Sequence, residues 1–241
     1  MTEFAEVFQD LAPTGELRVA INYGNPVLAQ RNASDGSPAG VSADLAREAA
    51  RRLGVVPRFI SYDAAGKVFE GLAHNAWDVA FMAVDPLRAE KINFTQPYVL
   101  IEGTYLVAES SAFDRVESLD QPNSRIAVGK GAAYDLFLSR HLKHASIERA
   151  ATSASAITLF IDKHLDAAAG VRQPLTAFAA ANPGYRVLSD HFTAIQQAIA
   201  IPKGRDTAHQ WFEAFIQEMK ASGFVQESLA RSNQSLDTAA P

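Results

Sequence analysis

"VSADLAREAARRLGVVPRFISYDAAGKVFEGLAHNAWDVAFMAV", residues 41–84, reads as helix, strand, helix, strand. In the first helix Leu45, Ala46, Ala49 and Leu53 recur at the helical period and form an apolar stripe. Ser42 is expected to cap its N-terminus, Asp44 suits the positive end of the dipole, and Gly54 ends it. Residues 55–62 (VVPRFISY) make a strand, 66–76 (GKVFEGLAHNA) a helix and 77–84 (WDVAFMAV) a further strand. Strands alternating with short helices imply βαβ crossovers and a parallel sheet, so the chain is α/β.

The same alternation extends outward. Upstream, Phe4, Val7, Phe8 and Leu11 give the first 14 residues a short amphipathic helix, ended by Pro13 and Gly15, and residues 17–22 (LRVAIN) alternate as a strand. A second series follows "GTYLVAES": strand 125–129, helix 132–142, a strand or turn near 146–151, helix 153–164, strand 165–171, helix 174–182 and strand 185–189. An extended run at 194–204 leads to a C-terminal helix, 207–223, closing on Gly223, and the polar tail 233–241 is expected to fray. Two α/β series joined by two extended segments, 104–110 and 196–202, define two lobes with a hinge and a ligand cleft.

Composition narrows the function. The chain has 241 residues, 48% of them hydrophobic, and a net charge of -5 from 22 basic and 27 acidic residues spread along it. No one-sided basic face offers itself to nucleic acid. With no cysteine there are no disulfides, thiolate nucleophiles or cysteine metal sites, and the six histidines lack metal-ligand spacing. Neither a metal nor another cofactor is expected. No apolar run approaches the roughly 18 residues of a membrane span. The N-terminus lacks a basic region followed by an apolar one, so the chain is periplasmic if a leader has been removed and cytoplasmic otherwise.

The segments "GELRVAINYGNP", "AGVSADLAREAARRLG", "VFEGLAHNAWDVAFMAVDPLRAEKINFTQPY", "IAVGKGAAYDLFL", "LDAAAGV" and "AIAIPKG", taken in order, resemble the bacterial solute-binding proteins of family 3, the polar amino-acid receptors of ABC importers. The resemblance runs from about residue 15 to about residue 230. It implies the two-lobed type II periplasmic-binding-protein fold, lobe 1 near 1–105 and 200–241, lobe 2 near 106–199, closing on a small ligand. A monomer that delivers its ligand to a membrane permease is the expected assembly. The most specific element is the strand, arginine turn and "FTQPY" run, which implies that Arg88 grips a ligand carboxylate by its bidentate fork.

Departures from the family pattern bear on the ligand. Where small hydroxyl residues are usual before the arginine, this chain has Phe81, Ala83 and Asp85; where a threonine is common on the lobe-2 helix, it has Ala132 and Ala133. Val171 stands where an acid normally meets the α-ammonium, followed by Arg172. The carboxylate grip is kept and the ammonium grip is lost, which points to a dicarboxylate or an N-modified amino acid, with Arg172 as a second cation; ordinary polar L-amino acids are the alternative.

Other candidates carry two readings each. Gly131, Ala132 and Ala133 open a helix after a strand, so their N–H groups can receive an anion or form an ordinary turn. Arg172 and Gln173 lie at the carboxyl edge of a parallel sheet, as ligand contacts or as the solvated start of the next helix. Asn22, Tyr23 and Asn25 face the same cleft, although asparagines are more often turn formers. Glu102, an acid in an apolar run, must be paired or exposed; it can hold a ligand ammonium or act as a general acid. Lys67 opens a helix, an unfavourable place for a cation unless a ligand anion or Asp63 holds it. Trp77, Phe81 and Phe94 are core. The competing functions are an enzyme similar to the dehydratases on this fold, with Glu102 as its acid, and a non-secreted ligand sensor.

Overall fold

The computed structural model describes residues 2–12 and 15–241, with side chains in the first helix from Val7 onward. Helix α1 (Thr2–Leu11) buries Val7 and Leu11 against the C-terminal helix. Pro13, expected to end α1, lies outside the described residues. Then come β1 (Glu16–Asn22), the hairpin strands β2 (Gln30–Arg31) and β3 (Pro38–Ala39), α2 (Val41–Leu53), β4 (Val56–Tyr62), α3 (Ala65–Leu72), β5 (Val79–Ala83), α4 (Pro86–Ala89), β6 (Ile92–Phe94) and β7 (Val99–Ala108). The second series is β8 (Arg125–Gly129), α5 (Ala133–His141), β9 (Ser146–Ala150), α6 (Ser153–Asp162), β10 (Ala167–Val171), α7 (Arg172–Ala181) and β11 (Tyr185–Val187). Strand β12 (Thr193–Pro202), α8 (Asp206–Ala221) and α9 (Phe224–Arg231) complete the chain.

These elements form two compact units. One comprises Met1–Tyr62, Lys67–Leu100 and Gln196–Pro241, the other Asp63–Gly66 and Ile101–Ile195. The long strands β7 and β12 therefore pass from one unit to the other, at Leu100–Ile101 and at Ile195–Gln196.

In the first unit β4, β1 and β5 run parallel and β12 lies antiparallel to β5. Trp77, with no exposed surface, anchors one face of this sheet, its indole N–H donating to the Val68 carbonyl at 2.9 Å. Phe81 is buried too and Phe94 packs against the Trp77 cluster, so all three aromatics are core as expected. In the second unit β9, β8 and β10 are parallel, β10 is antiparallel to β7, and Leu106, Phe160, Leu165 and Leu175 fill the space beneath α6 and α7.

Two local expectations are corrected. Ser42 does not cap α2: Gly40 holds that position at φ 93°, and a Cβ there would meet the Leu28 carbonyl oxygen at 2.7 Å. Ser42 is instead inside the helix and buried, donating its N–H to Leu28 and sharing a 3.2 Å hydrogen bond with the Tyr98 hydroxyl. Gly54 does end the helix, in the left-handed conformation. The C-terminal helix closes at Gly223, φ 81°, as the sequence indicates, and a further helix that was not read from it, α9, follows. The tail does not fray. Leu236–Thr238 form a 3-10 turn, Ala239 bridges to Val99, and the Ala240 N–H donates to the Tyr98 carbonyl at 3.0 Å.

Candidate functional site

Parallel pairing puts the carboxyl ends of β1, β4 and β5 on one edge of the first unit's sheet, the edge at which α/β folds place ligands. After β1 the Asn22 carboxamide oxygen accepts the Gly24 N–H at 2.9 Å, and that of Asn25 accepts the Val27 N–H at 3.3 Å. Both asparagines thus make side-chain turns, the commoner of the readings open to them. Tyr23, between them, has Arg31 over its ring at 4.1 Å, and its buried hydroxyl has no hydrogen-bond partner.

After β5 the chain turns into α4 because Asp85 caps it, accepting the Leu87 N–H at 2.9 Å, with Pro86 preset for the first helical position. That short helix carries Arg88 inward to 1% exposure, where a guanidinium N–H donates to the Ala83 carbonyl at 2.9 Å. Burial draws the Arg88 pKa down to about 10, with the Asp85 charge opposing, so Arg88 is a cation at neutral pH. Ala83 contributes its carbonyl and Asp85 its cap. Lys67 is exposed in the first turn of α3. In the "FTQPY" run Thr95 and Tyr98 donate their N–H groups to Ile199 and Gln197, fastening the segment to β12. The arginine motif is thus tied into the sheet on both sides.

In the second unit, β8 and β10 run parallel and bring their carboxyl ends, with 129–133 and 171–173, to one edge. Here the structure corrects two expectations. The Gly131 N–H donates to the Asp135 carboxylate at 2.8 Å and the Ala132 N–H to the Gly129 carbonyl at 3.1 Å, so neither is offered to an anion. Asp135 is 3% exposed, takes a further bond from Arg149 at 3.0 Å, and puts a negative charge in the first turn of α5. Of the three residues, only Ala133 keeps its anion-donor reading.

Arg172 is corrected as well. Helix α7 begins at Arg172, and its guanidinium donates to Glu102 and to the carbonyls of Leu188 (2.9 Å), Ser189 (3.1 Å) and Asp190 (2.8 Å). A fork engaged in this way is no second cation for a ligand. Glu102 is the ion-pair partner of Arg172, half-exposed, with His191 Nδ1 at 3.3 Å from its other oxygen. Gln173 differs: its carboxamide oxygen is buried without a partner. Val171 is buried.

Sequence reading missed Asp135 and His191. The spacing from Gly131 to Asp135, together with an acid in a helix's first turn, was a usable signal for the former. His191 lies 89 positions from Glu102, and no local pattern joins them. Gly131 has φ 70°, and a Cβ there would meet the Gly66 Cα at 2.8 Å. The Gly131→Ala variant is expected to lose about 1–2 kcal/mol for the left-handed backbone alone, read by urea denaturation.

No helix among the described residues is long and apolar enough to cross a membrane. A model of the bacterial extracellular solute-binding proteins, family 3, matches residues 17–232. Among solved structures, the chain is similar to an amino acid ABC transporter substrate-binding protein from Streptococcus pneumoniae bound to L-arginine, at 22% identity, 94% and 97% coverage of the two chains, and TM-score 0.79. It is similar to a cysteine-binding protein from Campylobacter jejuni at 18% identity, 97% coverage of each chain and TM-score 0.81. A third is an ancestral amino-acid-binding protein, AncCDT-1, a precursor of cyclohexadienyl dehydratase, at 24% identity, 95% and 98% coverage and TM-score 0.76. At these identities the likeness establishes the fold, that of the type II periplasmic binding proteins. No curated protein matches the chain.

Proposed function

The chain belongs to the bacterial extracellular solute-binding proteins, family 3, which makes it a ligand-capturing protein of the ABC-import type, and we propose that its solute is a small carboxylate held by Arg88 on hinge closure. The observation that carries this is the buried Arg88 guanidinium, delivered by a capped helix from the carboxyl edge of a parallel sheet. A buried fork of this kind favours a planar anion.

The rest of the solute is neutral and polar. Arg172 is engaged with Glu102 and Val171 is a buried apolar residue, which argues against Arg172 as the partner of a second carboxylate and against Val171 as the partner of a free α-ammonium. The buried hydroxyl of Tyr23, in the same unit as Arg88, instead suits a hydroxyl or an amide group. An N-acylated amino acid or a hydroxy acid has that chemistry. The partner is the permease of an ABC importer, the chain acts as a monomer, and it works outside the cytoplasmic membrane. Calorimetry with hydroxy acids, N-acyl amino acids, dicarboxylates and free L-amino acids tests the assignment. The first two classes are expected to bind tightest; tight binding of free L-amino acids alone would overturn it.

The protein returns its solute chemically unchanged. The one acid considered for catalysis, Glu102, is clasped by Arg172 and flanked by His191, which commits it to an ion pair. Mass analysis after long incubation with a bound solute is expected to recover it intact. A product whose formation stops in Glu102→Gln would make the chain an enzyme.

A further inference from the structure

The bonds of Arg172 reach the roots of both strands that cross between the units. Its Nε donates to Glu102 on β7, two positions beyond the Leu100–Ile101 crossing, and its other nitrogens donate to the carbonyls of residues 188–190, just ahead of β12 and its crossing at Ile195–Gln196. Thr104, also on β7, donates its hydroxyl to the Asp190 carbonyl at 2.8 Å. The Phe192 N–H donates to the Gly103 carbonyl at 2.9 Å, and a Cβ at Gly103 would meet the Phe192 ring at 2.7 Å. Asp190 in turn accepts the Val116 N–H at 3.2 Å.

We propose that Arg172 is a positioning residue, a clasp that makes the two crossing strands one rigid root in the second unit and confines bending to the crossings themselves. The geometry carries the inference. Arg172 lies where β10 becomes α7, so its guanidinium is rooted in the unit's core sheet, and one planar fork spans a carboxylate on one crossing strand and three carbonyls leading to the other. Lysine, with a point charge on a flexible stem, cannot span them all. Without the clasp, the stretch free to bend would extend over residues 100–104 and 188–196, and the angles sampled by the units would spread.

The clasp rests on the hinge-closure reading, and its test separates the two. The chain contains no cysteine, so exposed Ala214→Cys in α8 and Thr158→Cys in α6 give one spin-label pair, one label per unit. In pulsed dipolar spectroscopy of the solute-free protein, Arg172→Met is expected to broaden the label–label distance distribution about twofold. Glu102→Gln is expected to broaden it less, and the double variant no more than Arg172→Met alone, because the two side chains act as one unit. Arg125→Met breaks an ion pair to Glu148 in the same unit away from the crossing strands, and is expected to lower the melting temperature without broadening. Should Arg172→Met fail to fold, Glu102→Gln and Arg172→Lys carry the same comparison. A wild type that shifts distance with a mixture of small carboxylates and amino acids, beside folded clasp variants of unchanged width, would refute the clasp and leave closure standing. A wild type that never shifts would remove closure and the clasp with it.

Discussion

Replacing Arg88 by methionine is expected to weaken solute binding by about 2–5 kcal/mol, roughly 30-fold to several-thousand-fold in Kd. The size follows from burial. At 1% exposure the proposed grip on a carboxylate would have little competing water, so the charge-assisted bonds lost would be strong ones. Lysine would restore the charge without the fork and should recover only part of the affinity. Because Arg88 also donates to the Ala83 carbonyl, the variant's melting temperature must be read beside its titration. A folded Arg88→Met with wild-type affinity would take the arginine out of the site.

The second large effect concerns stability. Asp78 opens into β5 with its carboxylate 3% exposed, and it accepts from Arg18 on β1 at 2.7 and 2.9 Å and from Arg205, just before α8, at 2.9 Å. One carboxylate thus ties two parallel strands to the start of the C-terminal helix. Asp78→Ala strands two partly buried cations and is expected to cost about 3–5 kcal/mol in urea denaturation at neutral pH. The pH dependence has a definite sign. Burial acts to raise the Asp78 pKa, but the hydrogen bonds from Arg18 and Arg205 outweigh it and the net shift is downward. A depressed carboxyl contributes stability that is present above its unfolded value and is lost as pH falls through its folded one. The gap between wild type and Asp78→Asn should therefore be full at pH 7 and narrow below about pH 4. A constant gap down to pH 2 would assign the loss to packing.

Much of the fold was legible because it rests on local signals. The helical stripe of Leu45, Ala49 and Leu53, the left-handed stop at Gly54 and the turn residues around Arg88 are all encoded within a few positions. Where reading failed, a distant partner decided. Ser42 has a cap's chemistry, yet the tight approach of Gly40 to Leu28 moves the helix start and turns the serine toward Tyr98, 56 positions away. Arg172 looked like a free cation at a strand end; its partners lie 70 residues upstream and 16–18 downstream. The tail looked polar enough to fray, and its place is set by distant backbone, the Tyr98 carbonyl and the bridge to Val99. Asp135 was within reach, being four residues from the Gly131 whose N–H it takes.

Native mass spectrometry of the purified chain, sprayed first intact and then unfolded with the released small molecules identified, tests the central claim most directly. A retained or readily loaded species of low mass with one carboxylate and a neutral hydrogen-bond donor is expected, released unchanged on unfolding and not held by Arg88→Met. A solute without a carboxylate, or one held equally by Arg88→Met, would contradict it.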